Sequence, residues 1–358
     1  VPSKLAAFIE GNLEGVNYLV GKSLTFSWSD SLVHRPDVSH EFALLGFLIL
    51  LGLSVKHRQG GLAILIGVTV AAVTSGATQG WGPASEGYLV IEQPYVGHGD
   101  GALMKLPGGE VVLIDAPGPN RTGGWDPGRE ILGKMLERRG VDTINLAVMT
   151  HPHWDHIGGF DYLSRRFQIE EVWVGGGWPP PESRLAEILE RVKRKGGRVI
   201  LAESLGQHIH RSGVDIEVVH PRHDTGGARD PNDDSVVLRL VHNRRSILFT
   251  GDISDRIEDE RGSDWRETDI VKVAHHGSAT SSSFDFIDRV RPRVAMVSCA
   301  AEQRVGVPSL EALRRYELSG ARVLRTDLDG AISLWTNGER WRVRARQESD
   351  EPLELWLR

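Results

Sequence analysis

Thr150-His151-Pro152-His153-Trp154-Asp155-His156-Ile157-Gly158-Gly159 constrains this chain more than any other segment. Four side chains able to hold a metal, His151, His153, Asp155 and His156, fall within six residues, directly after the apolar run Ile144 to Met149. Such a run reads as a buried strand, and a strand's end is where a rigid scaffold can present imidazole and carboxylate groups together. Alternation along extended backbone predicts that His151 and His153 point the same way and hold one ion, while Asp155 and His156 turn toward a second.

Cysteine chemistry adds nothing to this set. Cys299 is the single cysteine, which excludes an internal disulfide framework and a thiolate cluster, so metal must be held by imidazole and carboxylate. The net charge of -6 over 358 residues excludes a polycation that coats nucleic acid, and any contact with DNA must be local.

Three segments precede and surround this motif. Residues 1 to 40 place Leu5, Phe8, Ile9, Leu13, Val16 and Val20 at helical spacing, which predicts an amphipathic helix followed by a polar linker. The opening Val1-Pro2 carries no basic leader, so no signal peptide is expected. Within residues 41 to 80 two apolar runs, Phe42 to Val55 and Leu62 to Val73, flank Lys56, His57, Arg58 and Gln59. The first run has no polar residue from Phe42 to Leu53, which favours a short transmembrane helical hairpin over a helix covered on one face. Its basic connection would face the cytoplasm, leaving the following domain on the extracytoplasmic side.

Residues 86 to 347 have the texture of an α/β domain, and residues 348 to 358 read as a tail. Short apolar runs at Val111 to Ile114, Glu171 to Val174, Asp215 to Val219, Val236 to Leu240, Ile247 to Phe249, Val271 to Val273 and Val294 to Val297 predict strands. Leu185, Ile188, Leu189 and Val192 predict a helix over Ser183 to Lys195, ended by Gly196. Hairpin-spaced strands mixed with helical crossovers suggest stacked mixed sheets covered by helices.

The motif His-x-His-x-Asp-His with its trailing Gly-Gly resembles the signature of the metallo-β-lactamase superfamily. The resemblance implies a four-layer αββα sandwich, here preceded by the membrane hairpin, and two divalent metal ions, zinc or manganese. Leu248-Phe249-Thr250-Gly251-Asp252-Ile253 is similar to the family's strand ending in Gly-Asp, whose carboxylate bridges both ions. Val271-Lys272-Val273-Ala274-His275-His276-Gly277-Ser278 is similar to the segment that supplies the last imidazole. His275 is the preferred ligand there, with His276 as a supporting or substrate-facing group. Where the family usually has a third histidine for the first site, this chain has Asn232 and Asp233, harder oxygen donors that favour Mn²⁺ or Mg²⁺. His220 is an outside candidate.

Together with Asn232-Asp233-Asp234-Ser235 and Arg325-Thr326-Asp327, these segments resemble the ComEC-type DNA-internalisation competence proteins. That likeness implies transmembrane helices, some of them before Val1, leading to a C-terminal hydrolase in the bacterial inner membrane. It also implies single-stranded DNA and other competence proteins as partners, and degradation of the strand that does not enter. Departures fall in the loops. The family's Asp-Val-Gly-Gln-Gly-Asp reads Pro94-Tyr95-Val96-Gly97-His98-Gly99-Asp100, and its Gly-His-Pro reads Gly306-Val307-Pro308.

Paired cations suit phosphodiester hydrolysis, because they activate a water and stabilise charge developing on phosphorus oxygens. In that reaction Asp155, Asp252 and His276 are the catalytic candidates, with Ser278, Ser235 and Trp154 placed to meet substrate. Arg165, Arg166, Arg191, Lys193, Arg194, Lys195, Arg244, Arg245, Arg289, Arg291 and Arg293 are candidates for tracking a strand's backbone, against the plainer reading of solvated charge. Two other readings stay open: a hydrolase of esters, lactones or thioesters, and a non-catalytic module that guides DNA.

Overall fold

The computed structural model describes residues 86–119, 124–222, 230–301, 306–345 and 353–357. The amphipathic segment and the apolar hairpin expected before residue 81 lie outside them. Among the described residues no helix is long and apolar enough to cross a membrane.

Leu146–Met149 shows how the layers arise. All four residues are buried, yet alternate side chains enter different cores: Leu146 and Val148 face one cluster, Ala147 and Met149 another. A strand apolar on both faces must be covered on both, which is the condition of parallel strands inside an α/β fold. The same split recurs at Val294–Val297, where Val294 and Met296 join the first cluster while Ala295 and Val297 join a third.

Two sheets result. One runs, in spatial order, through Leu353–Leu357, Trp341–Ala345, Ile332–Thr336, Leu89–Gln93, Ala102–Lys105, Val111–Ile114, Leu146–Met149, Glu171–Val174 and Arg198–Leu201. The other runs through Arg322–Arg325, Val294–Val297, Ile270–Lys272, Arg245–Phe249, Val237–His242, Val214–His220 and His208–Arg211. Each is antiparallel in one half and parallel in the other. Leu89, Ile91 and Trp173 of the first sheet share a core with Ile216, Leu238 and Met296 of the second, so the sheets pack face to face. Outside the first sheet, Leu132, Phe160, Leu185 and Ile188 cover it with helices; outside the second, Ile257, Phe286, Ile287 and Tyr316 do the same. The layers are therefore helix, sheet, sheet, helix.

The helix expected over Ser183 to Lys195 spans Arg184–Arg194, with the Ser183 hydroxyl accepting a hydrogen bond from the Ala186 amide (3.2 Å) and the four expected apolar residues buried. The strand expected from Ile144 to Met149 breaks at Asn145. There the side-chain carbonyl takes the Val111 amide (2.8 Å) and the amide nitrogen bonds Glu170 (2.9 Å), so Thr143–Ile144 separates and pairs with Gln168–Ile169. Residues 353–357, expected to belong to a tail, instead pair antiparallel with Trp341–Ala345 as an edge strand.

Candidate metal centre

Topology gathers the chemistry at one edge. Asp115 follows Val111–Ile114, His151 follows Leu146–Met149, Asp252 follows Arg245–Phe249, His275 and His276 follow Ile270–Lys272, and Ser298 follows Val294–Val297. All leave the C-terminal ends of parallel strands, where an α/β sheet leaves a crevice. The loop between Leu89–Gln93 and Ala102–Lys105 opens on the same edge and adds His98 and Asp100.

Each imidazole is oriented from behind. His156 Nδ1 donates to Asp115 Oδ2 (2.8 Å), and Asp115 is itself held by the amide (2.8 Å) and hydroxyl (2.7 Å) of Thr150. His276 Nδ1 donates to the carbonyl of Ser298 (3.1 Å). His151 Nδ1 lies 3.1 Å from the Thr150 hydroxyl and 3.3 Å from that of Ser235. Partners of this kind fix which ring nitrogen stays available to a metal, and here the available atoms face Asp252. Asp252 Oδ2 lies 3.2 Å from His156 Nε2, 3.6 Å from His276 Nε2, 3.9 Å from His151 Nε2 and 4.0 Å from His275 Nε2. His153 Nδ1 is 3.1 Å from His151 Nε2, and Asp155 Oδ2 is 3.5 Å from His276 Nε2.

Backbone conformation makes this convergence possible. His275 and His276 both have positive φ (50° and 55°), followed by Gly277 at 82°. Left-handed residues with a side chain cost on the order of 1–3 kcal/mol each, and the turn they form swings both rings toward the same carboxylate. Gly158, in the trailing Gly-Gly pair, packs so closely that a Cβ would sit 2.7 Å from Gly118 Cα and 2.5 Å from the Trp154 ring.

The electrostatics favour a cation. Burial opposes charge on Asp252, but His156 and His276 outweigh it and hold the carboxyl well below the usual range. Burial likewise opposes charge on His156, yet Asp252 and Asp115 hold its pKa well above normal, whereas burial and the neighbouring His156 push His151 well below. Asp252 Oδ1 is buried with no hydrogen-bond partner among the described residues. A divalent cation would meet that unmet oxygen and take the place of imidazole protons, so nitrogen and oxygen donors of this kind fit one. Asp100 Oδ1 and Oδ2 lie 3.7 Å and 3.9 Å from the ring nitrogens of His276 and His156. Those are the Nδ1 atoms that already face Ser298 and Asp115, and Asp100 pairs with Lys272, so it supports the rings from behind.

Several expected residues stand elsewhere than their assigned roles. His276, expected as a supporting group, is buried inside the cluster, while the preferred ligand His275 is half-exposed at its rim; the turn, not sequence order, decides which ring points inward. The Asp233 carboxylate turns away, accepting from the Ser254 hydroxyl (2.6 Å) and the Arg256 guanidinium (2.5 Å), while Asn232 Oδ1 is buried without a hydrogen-bond partner among the described residues. Ser235, expected to touch substrate, is fully buried, and its hydroxyl accepts the Asp252 amide (3.0 Å) behind the ligands. Trp154 donates its ring N–H to the Pro119 carbonyl (3.1 Å) and is covered by Arg184, 4.9 Å from the ring centre. Ser278 is half-buried, hydrogen-bonded to Thr280 (3.0 Å). His220 donates to the Asp233 carbonyl (2.7 Å), a structural role. Of the basic groups, Arg165 and Arg191 pair with Asp161, Arg166 with Glu137, Lys193 with Glu190, Arg245 with Asp269 and Arg291 with Glu267. Sequence reasoning missed Asp115, Asp100 and Lys272 as parts of the site, and treated His98 only as a departure.

Residues 96–301, more than half the chain, match the family model described as the metallo-beta-lactamase superfamily. The chain belongs to that superfamily. Membership makes the αββα frame that of a metal-dependent hydrolase and the His/Asp cluster its metal-binding edge. Among relatives, ComE operon protein 3 of Bacillus subtilis (strain 168) is 26% identical over 241 residues, covering 66% of this chain and 30% of that protein. Competence protein ComA of Neisseria gonorrhoeae is 29% identical over 202 residues, covering 56% of this chain and 26% of that protein. This chain thus spans less than a third of the length of either. The solved metallo-beta-lactamase fold protein YhfI from Bacillus subtilis is 10% identical, covering 66% of this chain and 96% of that one, with a TM-score of 0.41.

Proposed function

We propose that this superfamily domain is a dinuclear-metal phosphodiesterase that cleaves DNA, as the C-terminal part of a DNA-uptake protein, and degrades the strand that is not transported. One observation carries the reading: a single carboxylate oxygen, Asp252 Oδ2, stands within 4.0 Å of nitrogens from four histidines. His151 and His153 would hold one cation beside Asp252, and Asp155, His156 and His276 would hold a second.

Two divalent ions there supply Lewis acidity, activating water and neutralising charge on the phosphorus oxygens. Asp155, partly open to solvent, orients the attacking water. Burial opposes its ionisation, but the neighbouring His276 and His98 rings hold the carboxyl below its ordinary range, so it stays an acceptor at neutral pH. His275 at the rim and Ser278 in the next turn are the polar groups positioned to meet a phosphate oxygen or the leaving group. No protein nucleophile is required. The relatives' competence names support DNA as the substrate.

The purified chain incubated with labelled single-stranded DNA, a p-nitrophenyl ester and Mn²⁺ or Zn²⁺ tests this. Strand cleavage that Asp252→Ala abolishes supports the nuclease; ester turnover without cleavage favours the ester, lactone or thioester hydrolase; metal binding without any turnover favours a DNA-guiding module. The apolar runs between residues 41 and 80 would anchor the chain in the inner membrane, with the hydrolase on the extracytoplasmic side. A periplasmically active reporter fused after Arg358 reads that orientation.

A further inference from the structure

We infer that His98 is an additional ligand of the cation held by Asp155 and His276, which makes that site select zinc-like ions over manganese and magnesium. This rests on the metal-centre reading above, but not on DNA as the substrate.

His98 Nε2 lies 3.2 Å from Asp155 Oδ2, on the carboxylate oxygen that also faces His276 Nε2 at 3.5 Å. The three residues each offer a donor atom, all within 4.8 Å of one another, and the His98 and His276 ring centres are 4.9 Å apart. Among the described residues no hydrogen bond anchors the far side of the His98 ring, so its position comes from its backbone. That backbone is pinned on both sides. Gly97 and Gly99 take positive φ (78° and 122°), and a Cβ at Gly99 would fall 2.4 Å from the Asp155 carbonyl oxygen. The Asp100 amide donates to that same oxygen (3.1 Å), and the Ser298 hydroxyl donates to the Gly99 carbonyl (2.8 Å). The loop is thus moulded onto the metal-binding segment, with the His98 side chain aimed at Asp155.

The His98 imidazole gives this group two nitrogens, from His98 and His276, beside the Asp155 carboxylate. Imidazole suits zinc, copper, iron and nickel, whereas carboxylate, carbonyl and water suit magnesium and manganese.

The test is metal affinity, read by chelator competition for Zn²⁺ and Mn²⁺ on the whole chain and on His98→Gln. Weakening of Zn²⁺ by about tenfold or more, with Mn²⁺ changed less than about twofold, is expected for a lost imidazole ligand. In the cobalt-loaded protein, proton NMR should show one fewer paramagnetically shifted imidazole N–H resonance in the variant. His98→Ala should regain Zn²⁺ affinity on addition of free imidazole, which a folding defect would not allow. An unchanged Zn²⁺ to Mn²⁺ ratio with the same number of shifted resonances overturns the inference. Should the wild type fail to cleave DNA while this split persists, the nuclease reading fails and the ligand assignment stands.

Discussion

His156 Nδ1 and Asp115 Oδ2 meet at 2.8 Å beneath the metal centre, both residues almost wholly buried. The carboxylate fixes the ring's tautomer, and with the proton on Nδ1 the Nε2 lone pair faces Asp252 at 3.2 Å. Removing such a partner typically costs about 10–100-fold in metal affinity. Asp115→Asn should therefore weaken Zn²⁺ binding by roughly that factor, measured by chelator competition, with the far-UV dichroism unchanged. Unaltered affinity would show that the ring is held by packing alone.

Lys272 and Asp100 form a buried ion pair, 3% and 4% exposed, below the same rings. Lys272→Met leaves a buried carboxylate without its cation, which costs about 3–5 kcal/mol. The double variant Lys272→Met, Asp100→Asn removes the stranded charge and should recover most of that loss. Urea midpoints at constant m-value measure both; equal losses in the single and double variants would refute the pairing argument.

Glu258 is buried and accepts the amides of Ser282 (2.6 Å) and Ser283 (2.7 Å), and burial pushes its pKa up from 4.5 to about 7. The folded state therefore binds the proton more tightly than the unfolded chain. Its contribution is complete below pH 4.5 and is lost as pH rises through 7, by about 3 kcal/mol for a shift of this size. Glu258→Gln carries no such proton. The stability difference between wild type and variant should fall by that amount between pH 4.5 and 7.5, and a flat difference in urea unfolding contradicts it.

Divalent cation should raise the melting temperature. A ligand at 100 times its Kd adds about 2.7 kcal/mol, or roughly 5–10 °C for a domain of this size. Calorimetry with and without Zn²⁺ reads the shift. EDTA should reverse it, and Asp252→Ala should abolish it; a shift that survives in the variant would place the cation elsewhere.

Much of the frame was legible in sequence because its signals are local. Glu171–Val174 and Val294–Val297 announce themselves as short β-branched runs, and Leu185, Ile188, Leu189 and Val192 as one face of a helix. The positions of His151 and Asp252 at strand ends were likewise readable, since each comes just after an apolar strand. What a local pattern leaves open is the choice between neighbours. His275 and His276 have equal chemistry, and only two consecutive left-handed residues turn the second ring into the pocket. Ser235 looked like a loop hydroxyl facing substrate, but the Asp252 amide and the His151 ring claim it from behind.

By itself the amino-acid sequence determined which residue types arrive at the strand ends, because strand and helix periodicities are set by near neighbours. Which of those side chains face one another across the crevice was decided only when two sheets, built from residues far apart in the chain, packed against each other. Asp115 beneath His156 is 41 positions away, Lys272 against Asp100 still further, and the direction of a ring depends on the backbone turn and the partner behind it. No local pattern encodes such pairs, because their energy exists only once water has been excluded between them.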